Sequence, residues 1–248
     1  MWTMPTSLQL FERATWTGRL STPAQRIVPS EGSPAGRLDQ ASAGPNPSIQ
    51  FRYQPEFLDL VNQLLCSKPA GKSFSIGICP VRGEDSIDHL VAFLGAMISQ
   101  WSSAPVLVIE TDFRRSCLAR HLGTPATPGL REMIAPRPQN RFDCIHPTRY
   151  PNLHLLPAGS RGTGKEPVNI KPGLDWIYSL AAKHFQSVII AFPAWNEHPG
   201  IHSSYALADA MLLAVSPGCC RKSTVRRTAG YLRKASAKLV GAVLSDLV

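Results

Sequence analysis

The fold is decided by a strand–loop–helix–strand unit, Phe74–Glu110, which reads FSIGICPVRGEDSIDHLVAFLGAMISQWSSAPVLVIE. Its two ends, Phe74–Cys79 and Pro105–Glu110, are short apolar runs, which predict buried strands of the parallel-sheet type. The stretch between them, Ser86–Trp101, predicts a helix with one apolar face, formed by Ile87, Leu90, Val91, Leu94 and Met97. We therefore expect a parallel strand–helix–strand unit here.

Four more strand-length apolar runs follow along the chain: Leu153–Leu156, Ser187–Ala191, Ala210–Val215 and Leu239–Leu244. Predicted helices separate most of them, including Leu174–His184 and Ser223–Ser236. Strands that alternate with helices indicate an α/β fold, here a doubly wound, mainly parallel sheet flanked by helices. A chain of 248 residues with 44% hydrophobic residues suffices for one such domain.

The N-terminal fifth differs in composition from the rest. From about Thr17 to Ser48 it is rich in Pro, Gly, Ser and Ala, as is typical of a linker that cannot bury much surface. We therefore divide the chain into a flexible N-terminal segment, 1–50, and a folded domain, 51–248. A helix is predicted at Glu56–Cys66, just before the first strand.

Bulk composition limits the classes of partner and site. The net charge of +9 permits anionic lipid, nucleic acid or an acidic protein face as a partner. The cysteines form no CxxC pair, which favours reduced thiols over a zinc site; they are Cys66, Cys79, Cys117, Cys144, Cys219 and Cys220. No basic start precedes an apolar run, and no apolar stretch approaches the roughly 20 residues of a membrane helix. We expect a cytoplasmic protein.

The loop Cys79–Ser86, CPVRGEDS, occupies the place of the phosphate-binding loop in nucleotide-binding α/β folds. A working loop reads GxxxxGK[ST], with glycines for the turn, a lysine for the phosphates and a hydroxyl for Mg²⁺. Here Pro80 and Asp85 take the two glycine positions. Ser86 takes the lysine position and Ile87 the hydroxyl position, and neither can replace that chemistry.

Charge in this loop also disfavours a phosphate. Glu84 and Asp85 place negative charge beside a negative ligand, and two unit charges about 4 Å apart near a surface repel by up to about 4 kcal/mol. Arg82 offsets part of this. We interpret the loop as a degenerate phosphate site. If the loop is functional, its ligands are ATP and Mg²⁺. Its residues are Arg82, Gly83, Glu84, Asp85, Ser86 and Ile87.

Two other segments match parts of the same pattern. Gly159–Lys165, GSRGTGK, follows a predicted strand, but Glu166 replaces the hydroxyl residue. In addition, Pro167 and Pro172 disfavour the long helix that should follow. Gly71–Ser73, GKS, precedes a strand instead of following one. We interpret both as surface loops.

The order of segments resembles the cytoplasmic domain of the bacterial tyrosine kinases, relatives of the MinD/ParA ATPases. The most specific stretch, Val106–Met133, reads VLVIETDFRRSCLARHLGTPATPGLREM and is similar to the family pattern VLLIDaDlRrPxLhxxfgxxxxpGLsdxL. The matching positions are Asp112, Arg114, Arg115, Leu118, Gly123, Pro128, Gly129 and Leu130. Further similar stretches are Asn152–Gly159, Phe185–Ala194, Leu207–Val215 and Leu239–Asp246, so the resemblance covers roughly 51–248.

The departures from the family pattern fall on the chemistry. The first Asp of the family's DxD strand end, which helps to organise Mg²⁺, is Glu110 here, and the second is retained as Asp112; the resemblance makes these two the candidate metal ligands. Asp112, Arg114 and Arg115 either line a residual anion site or hold the turn after the strand. The family's Walker B-like Asp is Ala191, which cannot bind a metal.

Other family features are also altered. The helix that usually carries ExxRxxR has Glu56, Asp59 and Asn62 at that spacing, and no tyrosine cluster precedes Val248. Trp195 lies in the family's switch-like loop, either as a packed anchor or as a contact residue.

The segment Arg221–Lys238 holds seven basic residues, while Val225, Ala229, Leu232 and Leu239 can face the core. It is either a solvated helix face or a contact for anionic lipid or an acidic partner. No aromatic residues alternate with the basic ones in a platform pattern, so we expect no nucleic acid.

The resemblance implies two functions for the chain. The first is a catalytically impaired kinase-like subunit that regulates or scaffolds exopolysaccharide or capsule biosynthesis and export. Its partner would be a membrane-anchored polysaccharide co-polymerase, which regulates chain length, or a kinase paralogue, at the inner face of the plasma membrane. Such a subunit can be an oligomer. The alternative is an active ATP-dependent tyrosine autokinase with an atypical loop. A third function, a MinD/ParA-type positioning ATPase, would need the phosphate-loop and Walker B residues that this chain lacks, so it ranks below the other two.

Overall fold

The computed structural model describes residues 73–83, 87–102, 104–135, 141–160, 170–216, 218 and 220–244. The N-terminal segment 1–50 and the predicted helix Glu56–Cys66 lie outside these residues, as do most of the two segments Gly71–Ser73 and Gly159–Lys165.

The described chain forms a seven-stranded sheet of order β3-β4-β2-β5-β1-β6-β7. Its strands are β1 Phe74–Pro80, β2 Val106–Glu110, β3 His146–Pro147, β4 Leu153–Leu156, β5 Ser187–Ala191, β6 Ala210–Val215 and β7 Leu239–Leu244. Only the edge pair β3–β4 is antiparallel, and all other pairs are parallel. All six predicted strands are confirmed to within one residue. The two-residue β3 was missed because it is too short to show a hydrophobic period.

The helices are α1 Asp88–Trp101, α2 Leu118–Leu122, α3 Leu130–Met133, α4 Lys171–His184 and α5 Lys222–Lys234, with 3₁₀ turns at Arg141–Cys144 and Pro199–Leu207. The helix predicted at Leu174–His184 is confirmed as α4, which begins three residues earlier than predicted. Pro172 is its second residue, a position where a missing N–H costs nothing because the first turn has no acceptor for it.

Two hydrophobic clusters cover the two faces of the sheet. Along β5, Ile189 and Ala191 belong to the cluster under α1, whereas Val188 and Ile190 belong to the cluster under α4 and α5. Strands buried on both faces need apolar side chains at every position, which explains the continuous apolar runs in the sequence.

Parallel pairing brings the carboxyl ends of the central strands to one edge of the sheet. Ile78 of β1 pairs with Ala191 of β5, which also pairs with Glu110 of β2. The loops that follow these strands therefore meet at this edge, where ligands bind in open α/β sheets.

Two of the stretches that resemble the kinase family, Val106–Met133 and Asn152–Gly159, pack against each other beside this edge. Leu130 N–H donates to the carbonyl of Pro157 at 2.7 Å, and Arg131 N–H donates to Ala158 at 3.1 Å. A β-carbon at Gly129 would overlap the Pro157 carbonyl and lie 2.5 Å from the backbone nitrogen of Gly159. Only glycine fits at Gly129, since its neighbours are backbone atoms that cannot rotate away.

Candidate functional site

The first half of the predicted phosphate loop continues strand β1. Pro80 is the last residue of the strand and pairs with Ala214 of β6. The next N–H, of Val81, donates to the Ala214 carbonyl at 3.0 Å. The backbone at the first glycine position is therefore held in the sheet, and Val81 N–H is already paired. Glu84–Ser86 lie outside the described residues.

The residue at the hydroxyl position is part of the core. Ile87 immediately precedes α1 and is only 8% exposed. Its side chain belongs to the same hydrophobic cluster as Ile78 and Ala191. A packed hydrocarbon side chain thus stands where a P-loop presents its metal-binding hydroxyl.

Glu110, a predicted metal ligand, is buried and fully hydrogen-bonded. Its Oε1 accepts the backbone N–H groups of Cys117 at 2.9 Å and Leu118 at 3.1 Å. Its Oε2 accepts the Ser116 hydroxyl at 2.7 Å and the Ala158 N–H at 3.1 Å. Burial raises the pKa of this carboxyl, although the four hydrogen bonds oppose the rise. The carboxylate therefore joins the start of α2 to the turn after β4.

Asp112, the second predicted metal ligand, holds the turn after β2. Its Oδ1 accepts the N–H of Arg114 at 2.9 Å and of Arg115 at 3.3 Å. His198 Nε2 lies 3.7 Å from the same oxygen. Burial would raise the pKa of Asp112, but His198 and the two backbone donors outweigh it, so the pKa is lowered. The side chains of Arg114 and Arg115 are exposed.

Ala191, at the Walker B-like position, is packed into the core at the end of β5. The residue is 4% exposed. Its carbonyl accepts two hydrogen bonds from Thr111, from the N–H at 3.0 Å and from the hydroxyl at 2.8 Å. The end of β5 is thus fixed to β2 by backbone and hydroxyl groups, without a carboxylate at this position.

Glu197 reaches the phosphate-loop position, although no sequence pattern pointed to it. A β-carbon at Gly83 would overlap its Oε1 and lie 2.9 Å from its Oε2, so the carboxylate rests directly on the loop backbone. Arg115 Nη2 lies 3.7 Å from Oε1. Oε2 is buried and has no hydrogen-bond partner in the described part of the chain. The only signal for Glu197 was its place in the switch-like loop after β5.

Trp195, in the same loop, is a packed anchor. Its ring stacks on Tyr231 of α5 with the centroids 3.9 Å apart and an interplanar angle of 21°. Tyr231 remains 37% exposed. The loop after β5 is therefore attached to α5 by an aromatic pair.

Helix α5 has the predicted division of faces. Ala229 and Leu232 are buried at 1% and 0% exposure. Its basic side chains and those that flank it are all exposed, namely Arg221, Lys222, Arg226, Arg227, Arg233, Lys234 and Lys238. The basic face is confirmed as a surface, and its contact with lipid or an acidic partner stays a prediction.

The described residues contain no cluster of three or more His, Cys, Asp or Glu side chains that could hold a metal ion. Cys79 and Cys144 are buried free thiols, and burial raises the pKa of Cys79 to about 12. None of the helices in these ranges combines the length and the apolar character that a bilayer crossing requires.

Comparison with known proteins supports the resemblance inferred from the sequence. No family model matches the chain. It is 25% identical over 141 residues to CapB of Staphylococcus aureus, a protein assigned as a tyrosine-protein kinase. This match covers 57% of the chain and 61% of CapB, so the chain spans about three fifths of its curated relative.

Solved structures confirm the fold class. The chimerical protein CapA2B2 superposes with a TM-score of 0.67 at 18% identity, over 79% of this chain and 86% of that one. The kinase domain of the Escherichia coli tyrosine kinase ETK gives 0.65 at 18% identity, over 75% and 72%. MinD of Pyrococcus horikoshii, solved with Mg-ADP, gives 0.58 at 17% identity, over 69% and 70%. The resemblance to bacterial tyrosine kinases and the MinD/ParA-type fold are thus confirmed.

Proposed function

We propose that this chain is a catalytically impaired, kinase-like subunit that regulates or scaffolds bacterial exopolysaccharide or capsule assembly through protein contacts. The observation that carries the proposal lies at the carboxyl edge of the sheet. The chain keeps the fold of the bacterial tyrosine kinases, but the residue types that bind ATP and Mg²⁺ in that family are replaced at this edge. Phosphoryl transfer depends on positioning and on neutralisation of charge by Mg²⁺ and lysine.

The residues at this edge do not fit Mg-ATP. Ile87 and Ala191 are packed in one hydrophobic cluster and offer no ligand atom. Both oxygens of Glu110 already accept two hydrogen bonds each, so coordination of a metal would have to break some of them. Glu197 adds a carboxylate against the Gly83 backbone, where a phosphate would need to approach. The proposed function therefore includes no catalytic step that uses ATP.

The alternative function is an active autokinase in which Glu110 and Asp112 hold the metal. The lowered pKa of Asp112 favours it, because an ionised carboxylate at this edge is the charge state that Mg²⁺ requires. Against it stands the use of the same Asp112 oxygen by two backbone donors.

The partner that we propose is a membrane-anchored polysaccharide co-polymerase or a kinase paralogue. The exposed basic face of α5 supports an acidic contact surface, either on such a partner or on anionic lipid beside it.

The test is calorimetric titration of the full chain with Mg-ATP, beside the Asp112→Ala variant. We expect no binding in the micromolar range for this chain. Micromolar binding by the wild type that disappears in Asp112→Ala would reject the impaired-subunit function and favour the autokinase.

A further inference from the structure

Strand β7 forms one side of the sheet and leaves its outer edge open. It pairs with β6, and no other strand of the described chain lies beside it. The outer edge of such a strand presents backbone N–H and C=O groups that can pair with another chain. Proteins often protect an edge with proline or charged residues, and β7, which reads LVGAVL, contains neither.

The second half of β7 is regular enough to accept another strand. A register shift makes Val240 the extra residue of a bulge, after which Gly241–Leu244 pair with β6 in continuous register. A bulge is one of the devices that protect an edge, but this one lies before the regular part. Val240 and Leu244 are 46% and 48% exposed, so β7 also offers apolar surface.

Helix α5 lies beside this edge and turns a row of cations toward it. The helix connects two parallel strands, so it runs antiparallel to β7. On one flank Tyr231 stacks on Trp195, which follows β5 nearer the centre of the sheet. Lys222, Arg226 and Arg233 lie about 140–180° around the helix from Tyr231. These three exposed cations therefore face the side of the open edge.

The charge on this flank is not balanced within the described chain. None of the three cations pairs with an acidic side chain there. Lys222 is the first residue of α5, where the helix dipole opposes a cation, and Arg226 one turn later repels it. The next acidic residue, Asp246, lies outside the described residues, and its single charge would leave two of the three unbalanced. Unfavourable local choices without compensation are expected at functional sites.

We propose that an extended acidic segment of a partner protein binds here as an added strand. The site consists of Val240–Leu244 together with Lys222, Arg226 and Arg233, and we call it the edge surface. The backbone of the segment would pair with β7, and every second side chain would face α5, because successive side chains of a strand point to opposite faces. A segment with Asp or Glu at alternate positions therefore matches the edge surface.

A peptide suits the edge surface better than the other anionic partners do. Anionic lipid and nucleic acid match the cations, but neither supplies a backbone that pairs with β7. The proposal rests on the proposed function only in that both assign protein contacts to this chain, and it requires no statement about ATP.

The experiment is a fluorescence anisotropy titration of the full chain with a labelled octapeptide in which Glu and Thr alternate. Two further peptides carry N-methyl groups, one on every Glu nitrogen and the other on every Thr nitrogen. Each loses the donors along one edge of the peptide strand, since alternate residues direct their N–H groups to opposite edges. One of them should bind like the unmodified peptide, and the other at least about tenfold more weakly.

Protein variants test the charge of the edge surface. Arg226→Glu should weaken binding of the unmodified peptide by about fivefold or more, because it replaces an attraction with a repulsion. Arg227→Glu is the matched control: it makes the same change at the adjacent exposed residue, which lies on the flank toward Trp195 and lines the cavity there. At about 0.15 M salt it should change the affinity by less than about twofold.

Three results would overturn the proposal. Equal affinities for the two methylated peptides would show that no strand is added, and equal losses in Arg226→Glu and Arg227→Glu would indicate diffuse charge. The third is no peptide binding beside Arg226-dependent binding to vesicles of phosphatidylserine and phosphatidylcholine, which would indicate a lipid surface. Peptide binding as expected in a chain that also binds Mg-ATP through Asp112 would reject the impaired-subunit function and keep the edge surface. Absence of both peptide and Mg-ATP binding would do the reverse.

Discussion

The buried carboxylate of Glu110 accepts a hydrogen bond at 3.1 Å from the backbone N–H of Ala158, 48 residues further along the chain. The same carboxylate also accepts three hydrogen bonds from Ser116–Leu118. One side chain thus connects the end of β2, the start of α2 and the turn after β4. At this position the kinase family has an Asp that helps to organise Mg²⁺.

We expect Glu110→Ala to lower the free energy of unfolding by about 3 kcal/mol, because several buried donors would lose a charged acceptor. Glu110→Gln keeps the shape and one acceptor oxygen, so its loss should be smaller. Urea denaturation followed by circular dichroism measures both. A Glu110→Ala variant as stable as the wild type would refute this structural role.

The strands were predictable from the sequence because each central strand is buried on both faces and reads as a continuous apolar run. The role of Glu110 was not predictable, since its four donors lie six to 48 residues away and come together only in the folded sheet. The same holds for Glu197, whose contact with Gly83 joins loops after different strands. The start of α4 was placed late because Pro172 was treated as a helix breaker, whereas the first turn tolerates proline.

Acid should destabilise the protein partly through His121. Burial, and then the charges of His89, Arg120 and Arg149, lower the pKa of His121 from 6.5 to about 4. Its folded-state pKa is below its unfolded value, so the unfolded chain binds the proton first. Stability is therefore fully present above about pH 6.5 and is lost as the pH falls from 6.5 toward 4.

The variant His121→Asn should lose less stability than the wild type between pH 7.5 and 5, whatever its stability at pH 7.5. Urea midpoints measured at half-unit pH steps give the two slopes. Equal slopes for wild type and variant over this window would contradict the assignment.

The contact between Gly129 and the turn after β4 predicts a strong effect of a single methyl group. Gly129→Ala should destabilise the fold by about 1–3 kcal/mol, since the new β-carbon meets the backbone of Pro157 and Gly159. Gly230→Ala is the matched control, because Gly230 lies inside α5 with no atom within 4 Å of an added β-carbon. It should stabilise the protein by about 0.5–1 kcal/mol through helix propensity.

Thermal unfolding of both glycine variants measures these changes. The opposite signs are the diagnostic result, and a Gly129→Ala protein that melts at or above the wild-type temperature would show that the backbone there can move apart.

The stack of Trp195 on Tyr231 couples the loop after β5 to helix α5. With the ring centroids 3.9 Å apart and nearly parallel, a pair of this kind contributes about 0.5–1.5 kcal/mol beyond the area that it buries. We expect a double-mutant cycle with Trp195→Ala and Tyr231→Ala to give a coupling energy in that range. Urea denaturation of the four proteins supplies the cycle. Additive losses would mean that the rings only lie near each other and that the loop is held by other contacts, such as the Glu197–Arg115 pair at 3.7 Å.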